Sequence, residues 1–176
     1  MVSIEKEPIP SAGLAVIDEE ERILIVAKHH FKVETDDGSV HLTKGFPKGG
    51  VDNTDKNHRD AAIRETLEET GAHIGQVFIP RRKALVTYTN YKIDKNGELD
   101  LRQPKQIKLF GAYTTQKKFI PPDREKHPYA SLVQLEKFAN HVKNPHDREA
   151  FEAIAEALLE MRKEVRKALK KNKMTM

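Results

Sequence analysis

The chain has 176 residues, 38% hydrophobic and 33% charged, with a formal net charge of +4. That size and polarity describe one ordinary globular domain with a real core, outside the disordered regime and too short for two full units. With no cysteine, disulfide frameworks, thiolate zinc sites and cysteine nucleophiles are excluded.

The opening MVSIEKEPIP carries an early acid and no apolar run, so it does not read as a secretory signal. No stretch approaches the roughly 18 apolar residues of a membrane-spanning helix, and the expected location is cytoplasmic. Residues 11–17 (SAGLAVI) and 22–28 (RILIVAK), separated by DEEE, predict a pair of strands. Asp37-Gly38, flanked by FKVE and VHLT, suggests a small β-hairpin over 31–43. KGFPKGG is a loop, and residues 57–70 form a helix that Gly71 stops. Segments 73–79, 83–93, 97–101 and 106–115 are strand candidates, with a turn at 95–97. Helices are expected over 131–142 and 147–169, separated by Asn144-Pro145, the second with Phe151, Ile154, Leu158 and Leu159 on its apolar face. The order of elements implies a layered α+β or α/β/α domain over 1–171, with 172–176 a disordered tail.

The most informative stretch is RETLEETGA, 64–72. On a helix Glu65, Glu68 and Glu69 share a face, where like charges cost roughly 0.2–0.5 kcal/mol each. Glu68 and Glu69 also occupy the last turn, where the helix dipole disfavours anions by roughly 0.3–1 kcal/mol. Arg64 can pair with Glu68, but no Lys or Arg stands four residues from Glu65 or Glu69. A solvated acidic face leaves these penalties standing, whereas a divalent cation removes them. Clustered carboxylates suit Mg²⁺, Mn²⁺ or Ca²⁺, not zinc.

Residues 49–72, GGVDNTDKNHRDAAIRETLEETGA, resemble the Nudix box: Gly, five residues, Glu, seven residues, then Arg-Glu-hydrophobic-any-Glu-Glu-any-Gly-hydrophobic. Gly50, Arg64, Glu65, Glu68, Glu69 and Gly71 match in register. Thr66 replaces the usual aliphatic, and Lys56 stands where the first Glu belongs. In the family that Glu pairs with the Arg matched by Arg64; a slip of one residue, counted from Gly49, offers Asp55 instead, with Asp52 the weaker candidate. Beyond the box (50–72), SAGLAVI and RILIVAK resemble the opening strands. PKQIKLFGAYT resembles the strand that follows the box in hydrolases of dinucleoside polyphosphates and diphosphoinositol polyphosphates.

The resemblance implies a Nudix α/β/α sandwich with a mixed sheet, and metal-dependent hydrolysis of a pyrophosphate bond with Mg²⁺ or Mn²⁺ as cofactor. Glu65 and Glu69 are then the principal metal ligands. Glu68 is a ligand or the general base, and Arg64 completes the catalytic group. Lys48, Gly49, Gly50 and Lys105 are the substrate-binding candidates; Lys105 and Lys108 differ in strand parity and cannot share a face. Glu98 and Glu125 are alternative loop bases. The expected partner is a phosphorylated small molecule, with no membrane. RNA is the lesser alternative, together with an ADP-ribose or nucleotide-sanitising enzyme and a catalytically silent binding module. Arg81-Arg82-Lys83 and the basic tail read first as solvated charge, His29-His30 as surface histidines, and Tyr88, Tyr91 and Phe110 as core aromatics more than base-stacking platforms. If Asp55 is an imperfect stand-in for the missing Glu, Lys56→Glu preserves or raises turnover; a large loss of kcat/KM would instead give Lys56 a role of its own.

Overall fold

The computed structural model describes residues 6–73 and 78–174. Seven strands form one mixed sheet: β1 Ile9–Asp18, β2 Arg22–His30, β3 His41–Gly45, β4 Lys48–Gly50, β5 Phe78–Ile93, β6 Leu99–Thr114 and β7 Ala130–Gln134. Three α-helices accompany it among the described residues: α1 His58–Thr70, α2 Phe138–His141 and α3 Pro145–Met174. The main order is β3-β2-β1-β6-β5, with β4 on β1 and β7 on β2. Among the described residues only the β1–β6 pair is parallel, running from Ile9↔Lys105 to Asp18↔Thr114; the remaining pairs are antiparallel.

β1 reads as a continuous apolar run because both faces of the sheet are covered. Ala15, Ile17, Ile23, Ile25, Leu109 and Tyr113 point to one face and pack with Ile154, Leu158 and Met161 of α3. Their neighbours Leu14, Val16, Leu24, Val26, Phe110 and Ala112 point to the other, against Ala61 and Ala62 of α1. The result is the α+β, α/β/α arrangement expected from the sequence. Phe110 is thereby a core residue.

α1 starts at Asn57, whose side chain accepts from Asp60 N–H at 2.8 Å, and ends at Gly71. Its buried face is Ala61, Ala62, Thr66, Glu69 and Thr70, while Ile63 and Leu67 are only partly covered. Small residues let the helix approach the sheet closely. Thr66, the departure from the usual aliphatic, is fully buried, and its hydroxyl donates to the Ala62 carbonyl at 2.8 Å.

Four expectations need correction. Residues 131–142 are not one helix: Ser131 to Gln134 belong to β7, which pairs with β2 along its free side, and only a 3₁₀ turn and α2 follow. The 97–101 and 106–115 segments are one strand, β6, because the long antiparallel partner β5 carries the ladder past Pro104. In the 31–43 segment the Thr35–Gly38 turn forms, but FKVE is not a strand; His41–Thr43 pair back onto β2, whose edge is already extended. α3 continues through 172–174, beyond the predicted helix end at 169 and into the segment expected as tail. The predicted 73–79 strand falls partly outside the described residues, as do 175–176 of the tail.

Gly71 caps α1 in the left-handed region, φ 74°, and a Cβ there would overlap the Ile120 carbonyl. Gly71→Ala combines a backbone penalty of roughly 1–2 kcal/mol with overpacking. We expect it to destabilise the fold by at least about 2 kcal/mol in urea unfolding.

Candidate functional site

Arg64 organises the acidic face of α1. Its guanidinium donates to both oxygens of Asp55, at 2.9 and 2.8 Å, and to the Gly50 carbonyl at 3.0 Å. Its third nitrogen reaches Glu65 Oε1 at 3.0 Å and Glu68 Oε2 at 3.4 Å. The fork-shaped pair is the strong form of this interaction. It lowers the Asp55 carboxyl to about 2, the Asp52 backbone N–H adding to the effect, and raises Arg64 above its usual range. Asp55 thus occupies the position opposite Arg64, and Lys56 is exposed beside it. Asp52 is a more distant partner at 3.6 Å.

Glu65 and Glu69 differ in environment. Glu65 lies against Gly49, where any Cβ would overlap its carboxylate, so only glycine admits this approach. Burial and, next, the Glu69 charge raise the Glu65 pKa. Glu69 is buried; its Oε1 accepts from the Lys48 backbone N–H at 2.7 Å. Glu69 Oε2 lies 2.8 Å from His127 Nε2. That approach lacks hydrogen-bond angles, and neither ring nitrogen of the buried His127 completes a hydrogen bond. Glu68 is largely exposed.

These acids line one wall of a cavity of about 780 Å³. Lys28, Lys48 and Lys105 line it as well. Burial, then Lys28 and Lys48, lowers Lys105 to about 8, and burial also lowers Lys28. Lys108, of opposite parity, lies outside the lining and acts on His58 instead. Lys48 Nζ is held at 3.2 Å by Asp147, in the first turn of α3. Asp147 also accepts from Tyr88 Oη at 2.6 Å and Asn90 Nδ2 at 3.3 Å. Its backbone N–H is capped by Asn144 Oδ1 at 3.1 Å.

The sequence reading missed His127, Asp147, Lys28 and Asn90. Each comes from an element far from the box in the chain; the one local signal was the Asn144-Pro145 helix start beside Asp147. It also read His30 as a surface residue, yet His30 lines the cavity, bonded to Thr43 Oγ1 at 2.8 Å, and burial lowers it to about 4. Glu98 and Glu125 lie outside the lining, as do Arg81, Arg82 and Lys83. Of the three aromatics, Tyr91 alone lines the cavity, edge-on to His146.

Residues 7–154 match the family model of the NUDIX domain. The chain belongs to the Nudix family. This membership makes it a pyrophosphohydrolase. Among solved structures, the C. elegans Ap4A hydrolase binary complex is similar at 19% identity and TM-score 0.60, covering 86% of this chain and 98% of that one. The NUDIX domain of Shewanella oneidensis NrtR complexed with ADP ribose is similar at 15% identity and TM-score 0.60, covering 87% and 90%. The MutT NUDIX hydrolase from Burkholderia pseudomallei is similar at 19% and 0.58, covering 85% and 99%. At these identities the likeness concerns the fold. No curated protein matches the chain significantly.

The lowered Lys105 pKa has a sign. Between about 8 and 10.5 the unfolded chain holds more protons than the folded one, so this lysine makes stability rise with pH across that window. A bound polyanion restores its charge. Inorganic tripolyphosphate binding should therefore take up protons near pH 8 and weaken from pH 7 to 9, and calorimetry in buffers of different ionisation heat should find Lys105→Gln without that uptake.

Proposed function

We propose that this Nudix enzyme hydrolyses a pyrophosphate bond within a polyphosphate-bearing small molecule, with a divalent cation held by Glu65, Glu68 and Glu69. The favoured substrate is a dinucleoside polyphosphate or a diphosphoinositol polyphosphate, and the working compartment is the cytosol. One observation carries the reading: a single cavity is lined both by the box carboxylates and by the half-buried Lys28, Lys48 and Lys105. Such a pairing suits a chain of phosphates, one end of which is neutralised by metal and the rest by ammonium groups. The likeness to an Ap4A hydrolase agrees with the choice.

The donor set suits a hard cation. Hard oxygen donors crowd together, and burial and then the neighbouring Glu69 charge raise the Glu65 pKa. Among the described residues no three such side chains converge on one point, because Arg64 draws Glu65 and Glu68 one way while Lys48 N–H and His127 draw Glu69 another. Once bound, the ion supplies charge neutralisation and a more acidic attacking water.

In this reading Lys48 and Lys105 grip phosphate oxygens. Gly49 admits the Glu65 carboxylate against the backbone, and the open space over Gly50 leaves room for the scissile group. Arg64 keeps the acids in register through Asp55, and Glu68, the most exposed of the three, is the candidate base.

The test is a substrate panel at fixed Mg²⁺, resolved by chromatography: diadenosine polyphosphates, a diphosphoinositol phosphate, ADP-ribose, damaged nucleoside triphosphates and a capped RNA. We expect turnover of a dinucleoside or diphosphoinositol polyphosphate, reduced at least about 10²-fold in Glu69→Gln. Preference for capped RNA over every small molecule, or silence across the panel, would overturn this reading.

A further inference from the structure

We propose that His127 is a nitrogen ligand to the divalent ion, joined to Glu69, and that it biases the site toward Mn²⁺ or Co²⁺ over Mg²⁺. The inference deepens the proposed function and rests on its metal dependence.

The loop that carries His127 follows β6 and is fixed at several points. His127 N–H donates to the Asp123 carbonyl at 2.8 Å, and on either side of it the Lys126 and Tyr129 carbonyls accept from His29 and Ala27 of β2, at 2.8 and 3.0 Å. The ring is therefore delivered on rigid backbone to the acidic wall. It is only 5% exposed, yet neither nitrogen completes a hydrogen bond. Nδ1 is left without a hydrogen bond, and Nε2 has the Glu69 carboxylate beside it but out of hydrogen-bond alignment, an arrangement that suits a cation held between the two.

The spacing points to that cation. Two adjacent ligands at 2.0–2.1 Å from an octahedral ion stand about 3 Å apart, and Nε2 and Glu69 Oε2 are 2.8 Å apart without hydrogen-bond angles. Glu69 Oε1 is already committed to the Lys48 N–H, so Oε2 is the oxygen left for an ion. Glu65, on the same cavity wall, supplies a further carboxylate. His127 and Glu69 thus form a ready half of a site whose remaining acids are drawn off toward Arg64. Imidazole favours transition metals, whereas Mg²⁺ prefers an all-oxygen shell.

The test is direct. Electron spin-echo envelope modulation on Mn²⁺ bound to the full chain should show ¹⁴N coupling that disappears in His127→Gln. Calorimetry should find Mn²⁺ affinity reduced about tenfold in the variant, with Mg²⁺ affinity changed less than about twofold. His127→Asn serves if the Gln variant fails to fold by circular dichroism. Mn²⁺ bound without ¹⁴N coupling, or coupling that persists in the variants, would overturn the ligand assignment while leaving metal dependence intact. Failure of the wild type to bind Mn²⁺ at all would overturn both.

Discussion

The placement of Lys48 is the constraint on which the site depends. Its strand, β4, is three residues long and pairs with β1 from Ser11↔Gly50 to Gly13↔Lys48. Two further backbone bonds, Leu14 N–H to the Pro47 carbonyl and Val51 N–H to the Pro10 carbonyl, hold it at both ends. From that position the Lys48 backbone fixes Glu69, and its ammonium meets Asp147. One residue therefore ties the helix of the box to the last helix of the chain. If β4 slipped by one residue, its side chains would change faces, and both links would break together.

Around this anchor the charges are arranged at a cost to the fold. Burying lysines and carboxylates is unfavourable unless each is paired. Arg64 and Asp55 satisfy one another fully, as do Lys48 and Asp147 within their network. Among the described residues Lys105 and Lys28 have no such partner, and Glu65 only shares the Arg64 guanidinium with Asp55 and Glu68; their lowered or raised pKa values record the deficit. Lysines without a partner beside crowded carboxylates are the deficit that the proposed ligand, a polyphosphate with its cation, would relieve.

The small-residue face of α1 serves the same end. Ala61, Ala62, Thr66 and Thr70 bring the helix close enough to β1 for Glu69 to be buried beside β4, and Gly49 lets Glu65 lie against the backbone. A bulkier helix face would lift both acids away from the sheet. The two Thr hydroxyls are satisfied by carbonyls within the helix, so their burial leaves no polar group unpaired.

The sequence by itself determined the box helix, its glycine stop and its three acids, because these depend on residues within a few turns of one another. Apolar runs marked β1 and β2 for the same reason, and the spacing from Gly49 was enough to suggest Asp55 as the partner of Arg64. Strand parity separated Lys105 from Lys108. Only the tertiary structure decided which distant side chains meet the acids. His127 sits in a polar loop, Asp147 at a helix start and Lys28 on a far strand, and nothing local distinguishes them from solvated residues. The 131–134 segment became a strand because β2 offered an open edge, which no local pattern encodes. Pairing across a sheet is set by which edges remain unfilled, and side-chain convergence by the packing of layers; both are properties of the whole chain.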